Sequence, residues 1–405
     1  MKLVLLSLIF SSTVLFSQKI NLKKGSWSAN LELNNHDKLP FRLLIDKTKD
    51  KTTFSIQNAA EIIQLTNFRI HLDTISLDFP SFNSSIHFRR VNNKKIVGYW
   101  QNYNKGAHYK IPFSAKYGYT TRFENNSLET TNNISGNWKV KFDYNRPEES
   151  LSLGVFKQTN TILTGTFLTE TGDYRFLEGN VFGDSFHLSC FDGSHAFLFN
   201  AQIKNDSLNG LFFSGKHNKE VWNAVKDESF KLPDADSLTK LINPTTPFTF
   251  QLKDLEGNIF IFPTDRFKNK VVIIQIMGTW CPNCMDETRY YKKLYENYHD
   301  QGLEIISIGY EIGDGFEEFS KKIKLLQERL NLPFTFLVGG AAKKDLASKQ
   351  FSMLNEVISF PTSIFIGKDG SVKRVHTGFN GPGTGSYYIE YEEKTNKLIE
   401  ELLKM

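Results

Sequence analysis

Two cysteines separated by two residues, in Gly278-Thr-Trp-Cys-Pro-Asn-Cys284, are the side chains of this sequence best suited to chemistry. They follow the continuous apolar run Val271–Met277, the mark of a strand buried on both faces, and they open a helical pattern that reaches about Asp300. A helix N-terminus presents unpaired N–H groups and the positive end of the peptide dipoles. Both favour a thiolate, so the Cys281 pKa is expected below that of a free thiol. Pro282 suits the first helical turn because it has no N–H to lose. The pattern predicts thiol–disulfide exchange. Cys281 attacks a partner disulfide, and Cys284, one turn deeper, resolves the mixed species by closing a Cys281–Cys284 disulfide. The competing readings are a structural staple and a zinc site. Zinc wants about four ligands, and neither a second close Cys pair nor His at ligand spacing occurs among the 3 Cys and 9 His. No metal and no cofactor are expected.

The elements that must position this pair read as an α/β unit over 247–405. Phe248–Leu255 and Ile259–Phe262 predict a hairpin around Glu256-Gly-Asn258. Leu303–Tyr310 is a second buried strand. Phe316–Leu330 is an amphipathic helix with Phe319, Ile323, Leu326 and Leu330 on one face. A strand at Phe334–Val338 and a helix near Ala342–Met353 follow. Ser363–Gly367 and Val372–Gly378 flank the Lys368-Asp-Gly370 turn, and a last helix covers Glu390 to Leu403. This order predicts a mixed sheet with helices on both faces. His376 reads as an exposed strand residue, and Gly378–Gly385 as a flexible glycine-rich rim near the site.

The same motif, with Phe250-Gln-Leu-Lys-Asp-Leu-Glu-Gly257, Lys270-Val-Val-Ile-Ile274 and Phe360-Pro-Thr362, resembles the thioredoxin superfamily, specifically its TlpA-like branch of exported thiol–disulfide oxidoreductases. The resemblance spans about residues 245–405. It implies a cis-proline at Pro361 facing the cysteines, and a substrate-binding surface made of Trp280, Pro282, Phe360, Pro361 and Thr362. It further implies that Glu287, one turn beyond Cys284, tunes proton transfer. A nearby carboxylate raises thiol pKa values and can accept the proton released on resolution. Gln275 stands where cytosolic thioredoxins carry a buried aspartate, which leaves Glu287 or water as the base. The branch also implies reduction rather than oxidation as the working direction.

Residues 18–228 read as β-structure, with short alternating runs such as Trp27–Leu33 and Leu151–Phe156 between turn clusters. Only Ala59–Leu65 hints at a helix. The region looks duplicated. Gly25-Ser-Trp27 and Gly136-Asn-Trp138 stand 111 residues apart, while Phe79 and Phe191, and Gly98-Tyr-Trp100 and Gly210-Leu-Phe212, stand 112 apart. Two β-rich repeats, 18–120 and 121–228, each have room for a small meander or barrel. A Pro-rich linker, 229–246, with a short helix around Asp236–Ile242, leads into 247–405. Lone Cys190 reads as a small buried hydrophobe.

The first residues, one Lys followed by an apolar run from Leu3 to Phe16, predict a cleaved secretory leader over 1–17 and a periplasmic or otherwise extracytoplasmic mature chain without a membrane span. The excess of 49 Lys+Arg over 44 Asp+Glu is spread along the chain, which argues against a nucleic-acid partner. The expected partners are disulfides in exported proteins, apocytochromes among them, and a membrane thiol electron donor. Two alternatives share the sequence: a peroxiredoxin-like thiol peroxidase, and a β-domain binding protein with an accessory redox domain.

Overall fold

The protein, described here from a computed structural model over residues 21–33, 37–49, 51–124 and 132–405, is built on three sheets. The leader expected over 1–17 lies outside the described residues. The first sheet is an antiparallel meander of nine strands from Gly25–Glu32 to Lys110–Tyr117, in which the first strand also pairs with the last. Its free edges are Glu61–Gln64 and Thr66–His71. The segment with a helical hint, Ala59–Leu65, is therefore a strand at a sheet edge. Short apolar runs satisfy both periods, and pairing with Thr52–Asn58 decides this one.

The second sheet closes. Gly136–Phe142 pairs with both Ser150–Thr159 and Asn218–Lys226, and Ser150–Thr159 pairs with Ile162–Thr169, so the ladder returns to its start. Closure leaves no strand edge open to solvent. The barrel axis is filled by side chains: Phe142, Phe167, Phe199, Phe212 and Trp222 pack ring against ring, and Trp138 is buried in the same cluster. The two sheets carry the repeated landmarks at equivalent places. Trp27 and Trp138 are both buried, and each donates its indole N–H to the carbonyl four residues back, Lys23 and Ile134. Gly98 and Gly210 sit where a Cβ would strike the facing strand, at His87 O and Asn200 O.

The third sheet has seven strands in the spatial order Ile259–Phe262, Phe250–Asp254, Thr335–Ala341, Leu303–Glu311, Val271–Met277, Thr362–Ile366, Val372–Thr377. Val271–Met277, Leu303–Glu311 and Thr335–Ala341 run parallel, and the remaining pairings are antiparallel. The central two strands are buried along their whole length, as their largely apolar character favours. Helices Pro282–Tyr298 and Ser386–Lys404 meet through Tyr290, Tyr291 and Tyr391.

The Pro-rich segment is strapped to the redox unit rather than spanning free. Asp236, in the short helix Ala235–Leu238, pairs with Arg374 and His376, and Ile242 N donates to Met353 O. His376 is consequently buried, not exposed, because the linker crosses its strand. Gly378–Gly385 is no flexible rim either. Phe379 and Thr384 are buried, and Gly381 N donates to Asp173 of the barrel at 2.7 Å. Among the described residues no helix is long and apolar enough to cross a membrane.

Candidate active site

The chain leaves the central strand at Met277, turns through Gly278–Trp280, and enters the Pro282–Tyr298 helix with Cys281 as its N-cap. Cys281 has extended backbone angles, and its Sγ accepts the Cys284 N–H at 3.2 Å. The sulfur thus occupies the position usually taken by a capping hydroxyl or carboxylate. Cys281 and Cys284 are joined as a disulfide, with Cys284 wholly buried and Cys281 showing 6 % of its surface. The Phe360–Pro361 peptide is cis, and Cys281 Sγ lies 3.5 Å from Phe360 O. Thr362 begins the neighbouring strand, opposite Ile276, and its hydroxyl donates to Ser359 O. Trp280 donates its indole N–H to Tyr310 O at 2.9 Å and meets the Phe360 ring edge-on, while Tyr310 stacks on Phe360. Trp280, Phe360, Pro361 and Thr362 therefore gather at the sulfurs, with Pro282 in the helix's first turn.

Glu287 is fully buried beneath them. Gln275 Nε2 donates to its Oε2 at 2.8 Å, and Ser363 and Tyr291 donate to its Oε1 at 3.0 and 3.1 Å. Gln275 thus stands between Glu287 and the Cys284 turn, its Nε2 3.5 Å from Cys284 O. Burial pushes the Glu287 carboxyl up from 4.5 to about 7, against the pull of the three donors and Arg374. Glu311 was not visible as a site residue. It ends the buried strand Leu303–Glu311 and accepts from both N and Oγ1 of Thr279, at 2.9 and 2.6 Å, which fixes the turn leading to the cysteines. Burial raises it, too, to about 7. The one available signal was an acid at the end of a largely apolar run.

These two acids make stability pH-dependent. Each has a folded pKa above its unfolded one. Each therefore stabilises the fold fully below about pH 4.5 and loses that contribution as pH rises through about 7. A rise of this size corresponds to about 3 kcal/mol per group. Urea midpoints are expected to fall between pH 5 and pH 8, and Glu287→Gln to remove its share of the fall. An unchanged pH slope in Glu287→Gln counts against the assignment.

The β-rich half reaches onto this face. Asn283, between the cysteines, donates to Phe379 O at 2.9 Å and to Asp173 of the barrel at 3.3 Å. A Cβ on Gly172 would fall 2.4 Å from the Asn283 amide. Ser194 Oγ reaches Trp280 O, and Arg289 donates to Ser81 of the first sheet. Buried Arg175, in the barrel, bonds Asp286 on the cysteine helix and Glu61 at the first sheet's edge. Its Nε lies 3.3 Å from Asp192, without hydrogen-bond geometry. Burial disfavours the Arg175 charge, yet Asp286, Glu61, Asp192 and Asp173 outweigh it and hold its pKa well above the usual value. Burial raises Glu61 and Asp173. Asp192 is also penalised by burial, but His195 and Arg175 together hold it low. Among the described residues no cluster of His, Cys, Asp or Glu has the geometry to hold a metal.

A thioredoxin-type sheet, a Cys-x-x-Cys at a helix start and a cis-proline strand opposite define the class: this is a thiol–disulfide oxidoreductase. The Redoxin family model matches residues 243–389. The thiol-disulfide oxidoreductase ResA of Geobacillus thermodenitrificans is 32% identical over 139 residues, which is 34% of this chain and 70% of that protein. ResA of Bacillus thuringiensis subsp. konkukian is 31% identical over 155 residues, 38% of this chain and 73% of that protein. Among solved structures, a thiol:disulfide interchange protein of the thioredoxin family from Chlorobium tepidum TLS aligns over 40% of this chain and 97% of its own, at 17% identity and TM-score 0.31. Through its C-terminal third, the chain belongs to the ResA family of thiol-disulfide oxidoreductases.

Proposed function

We propose that this protein is an extracytoplasmic dithiol–disulfide reductase that exchanges through Cys281 and Cys284 with disulfides of exported proteins. The observation that carries the reading is Cys281 Sγ at the helix N-cap, accepting the Cys284 N–H. In the reduced protein the same N–H and the helix dipole stabilise a thiolate on the outer sulfur. Cys281 attacks the partner disulfide, and Cys284 then displaces the partner thiolate. Glu287, one turn on, accepts the Cys284 proton, which suits an acid whose pKa stands near 7. A buried carboxylate one helical turn from Cys284 disfavours a second thiolate, which favours giving electrons to a partner over keeping them. Glu311 holds the Thr279–Trp280 turn in register for the attack. The apolar leader over 1–17 supports export, and a membrane thiol carrier is the donor that reduction outside the cytosol requires.

The β-rich half, 18–228, acts as a cap that selects which disulfides reach Cys281. Its contacts on Asn283, Trp280 and Asp286 support that role, and the side-chain-filled barrel axis argues against a ligand held inside. The thiol-peroxidase alternative gains no comparable observation.

Trapping tests the proposal. Cys284→Ala leaves Cys281 to attack with nothing to resolve the product, so mixed disulfides on Cys281 are expected to accumulate with partner proteins and to be released by dithiothreitol. If Cys284→Ala captures no partner while the intact pair still reduces disulfides, Cys281 is not the attacking sulfur.

A further inference from the structure

Glu287 has no exposed surface, so a proton it accepts needs a way out. Its Oε1 accepts from Tyr291 Oη at 3.1 Å, one turn further along the cysteine helix. Tyr291 Oη in turn lies 3.2 Å from Tyr391 Oη on the Ser386–Lys404 helix, where either oxygen can donate. Tyr391 forms part of the wall of a cavity of about 350 Å³ between the barrel, the 231–236 segment and the last strand and helix of the redox unit. Arg374, His376 and Asp236 line the same cavity, which is large enough for several waters.

We propose that Tyr291 and Tyr391 form a proton path that connects Glu287 to this cavity, with both tyrosines acting through Glu287 on the cysteine chemistry. The inference rests on the reading of Glu287 as proton acceptor for Cys284. During resolution the Cys284 S–H electron pair forms the new S–S bond to Cys281, and the old S–S pair leaves with the partner thiolate. The proton passes to the Glu287 carboxylate. Glu287 then gives a proton to Tyr291 Oη, Tyr291 gives its own to Tyr391 Oη, and Tyr391 gives its own to water in the cavity. The three hydrogen bonds reverse direction, no atom is lost, and the partner thiolate takes up a proton in solvent.

Three features favour a path over simple core packing. A lone buried acid would be satisfied by Gln275 and Ser363, which already contact both of its oxygens. The second phenol makes no hydrogen bond to Glu287, yet its residue lines the polar cavity, which Tyr291 does not. Burial holds both phenols well above their ordinary pKa, so they stay neutral and can hand protons on without storing charge. The charged and titratable groups around the path are Arg374, whose guanidinium lies over the Tyr391 ring, His376 beside that ring, Tyr290 from the cysteine helix, and Asp236 from the linker.

The test measures resolution in the full-length reduced protein by stopped-flow mixing with a small disulfide, followed by Trp280-side fluorescence from pH 5 to 9. Tyr391→Phe keeps the Tyr291–Glu287 bond and removes only the exit. It is expected to slow resolution about tenfold, and added imidazole buffer is expected to restore the rate. Tyr291→Phe is expected to give the same slowing and the same buffer rescue, and it serves if Tyr391→Phe does not fold. A structural defect would not respond to buffer. If Glu287→Gln slows resolution while both tyrosine variants keep the wild-type rate and pH profile, the path is overturned and Glu287 stands. If Glu287→Gln itself resolves at the wild-type rate, the underlying reading of Glu287 falls.

Discussion

Replacing Cys281 by Ser is expected to reduce catalysed insulin-disulfide reduction to the rate of the thiol reductant alone, a loss on the order of 10³-fold or more. The substitution is nearly isosteric, and the side chain is a helix N-cap. A serine hydroxyl accepts the Cys284 N–H at least as well as sulfur does. The fold should therefore survive, and the measurement isolates the chemistry. What is lost is the nucleophile, because an alcohol stays protonated in conditions where a capped thiol ionises. The remaining thiol, Cys284, is wholly buried and cannot meet a protein disulfide. Cys190 offers no substitute, since it is buried in the barrel and its burial raises its pKa well above a free thiol's. Turbidity from precipitating insulin B chain is the readout. Activity retained in Cys281→Ser would remove the central assignment.

The redox unit was legible because its signals are local. A largely apolar strand and a Cys-Pro-Asn-Cys at the following helix start lie within one short window, and backbone geometry follows from them, whereas Phe360, 79 positions from Cys281, was legible only through the family resemblance. The duplicated tryptophans were legible for the same reason, since each anchors its own strand. What lay hidden was assembled from residues far apart in the chain. Arg175 meets Asp286 across 111 positions and Glu61 across 114. No periodicity encodes such a pair. His376 looked exposed because its strand alternates, but Asp236, 140 residues earlier, crosses over it. The glycine-rich Gly378–Gly385 stretch has the composition of a mobile loop. Its small residues instead let the barrel approach, with Gly381 N bonded to Asp173. Closure of the second sheet, against the open seam of the first, was likewise beyond a strand count. It depends on whether the edge strands meet.

Arg175 is where these long-range contacts converge, and its loss is expected to be the most damaging substitution outside the cysteines. One guanidinium bonds a carboxylate on the cysteine helix and another on the first sheet, and lies beside Asp192 of its own barrel. Arg175→Leu fills a similar volume but leaves Asp286, Glu61 and Asp192 facing each other in a dry interface. Breaking a buried pair by removing one partner costs about 3–5 kcal/mol, far more than an exposed pair contributes. Part of that is recovered if Glu61 and Asp173, whose pKa values burial already raises, take up protons. The loss should therefore shrink at pH 5 relative to pH 8. Arg175→Lys keeps the charge but cannot fork between the cysteine helix and a sheet edge, and should fall in between. Two readouts are expected to move together: a lower urea midpoint, and faster alkylation of Cys281 by a bulky maleimide in the reduced protein as the cap loosens from Asn283. A midpoint within about 0.5 kcal/mol of wild type would mean that apolar contact alone seats the cap. An alkylation rate unchanged despite a lowered midpoint would mean that the β-rich half does not govern access to the sulfur.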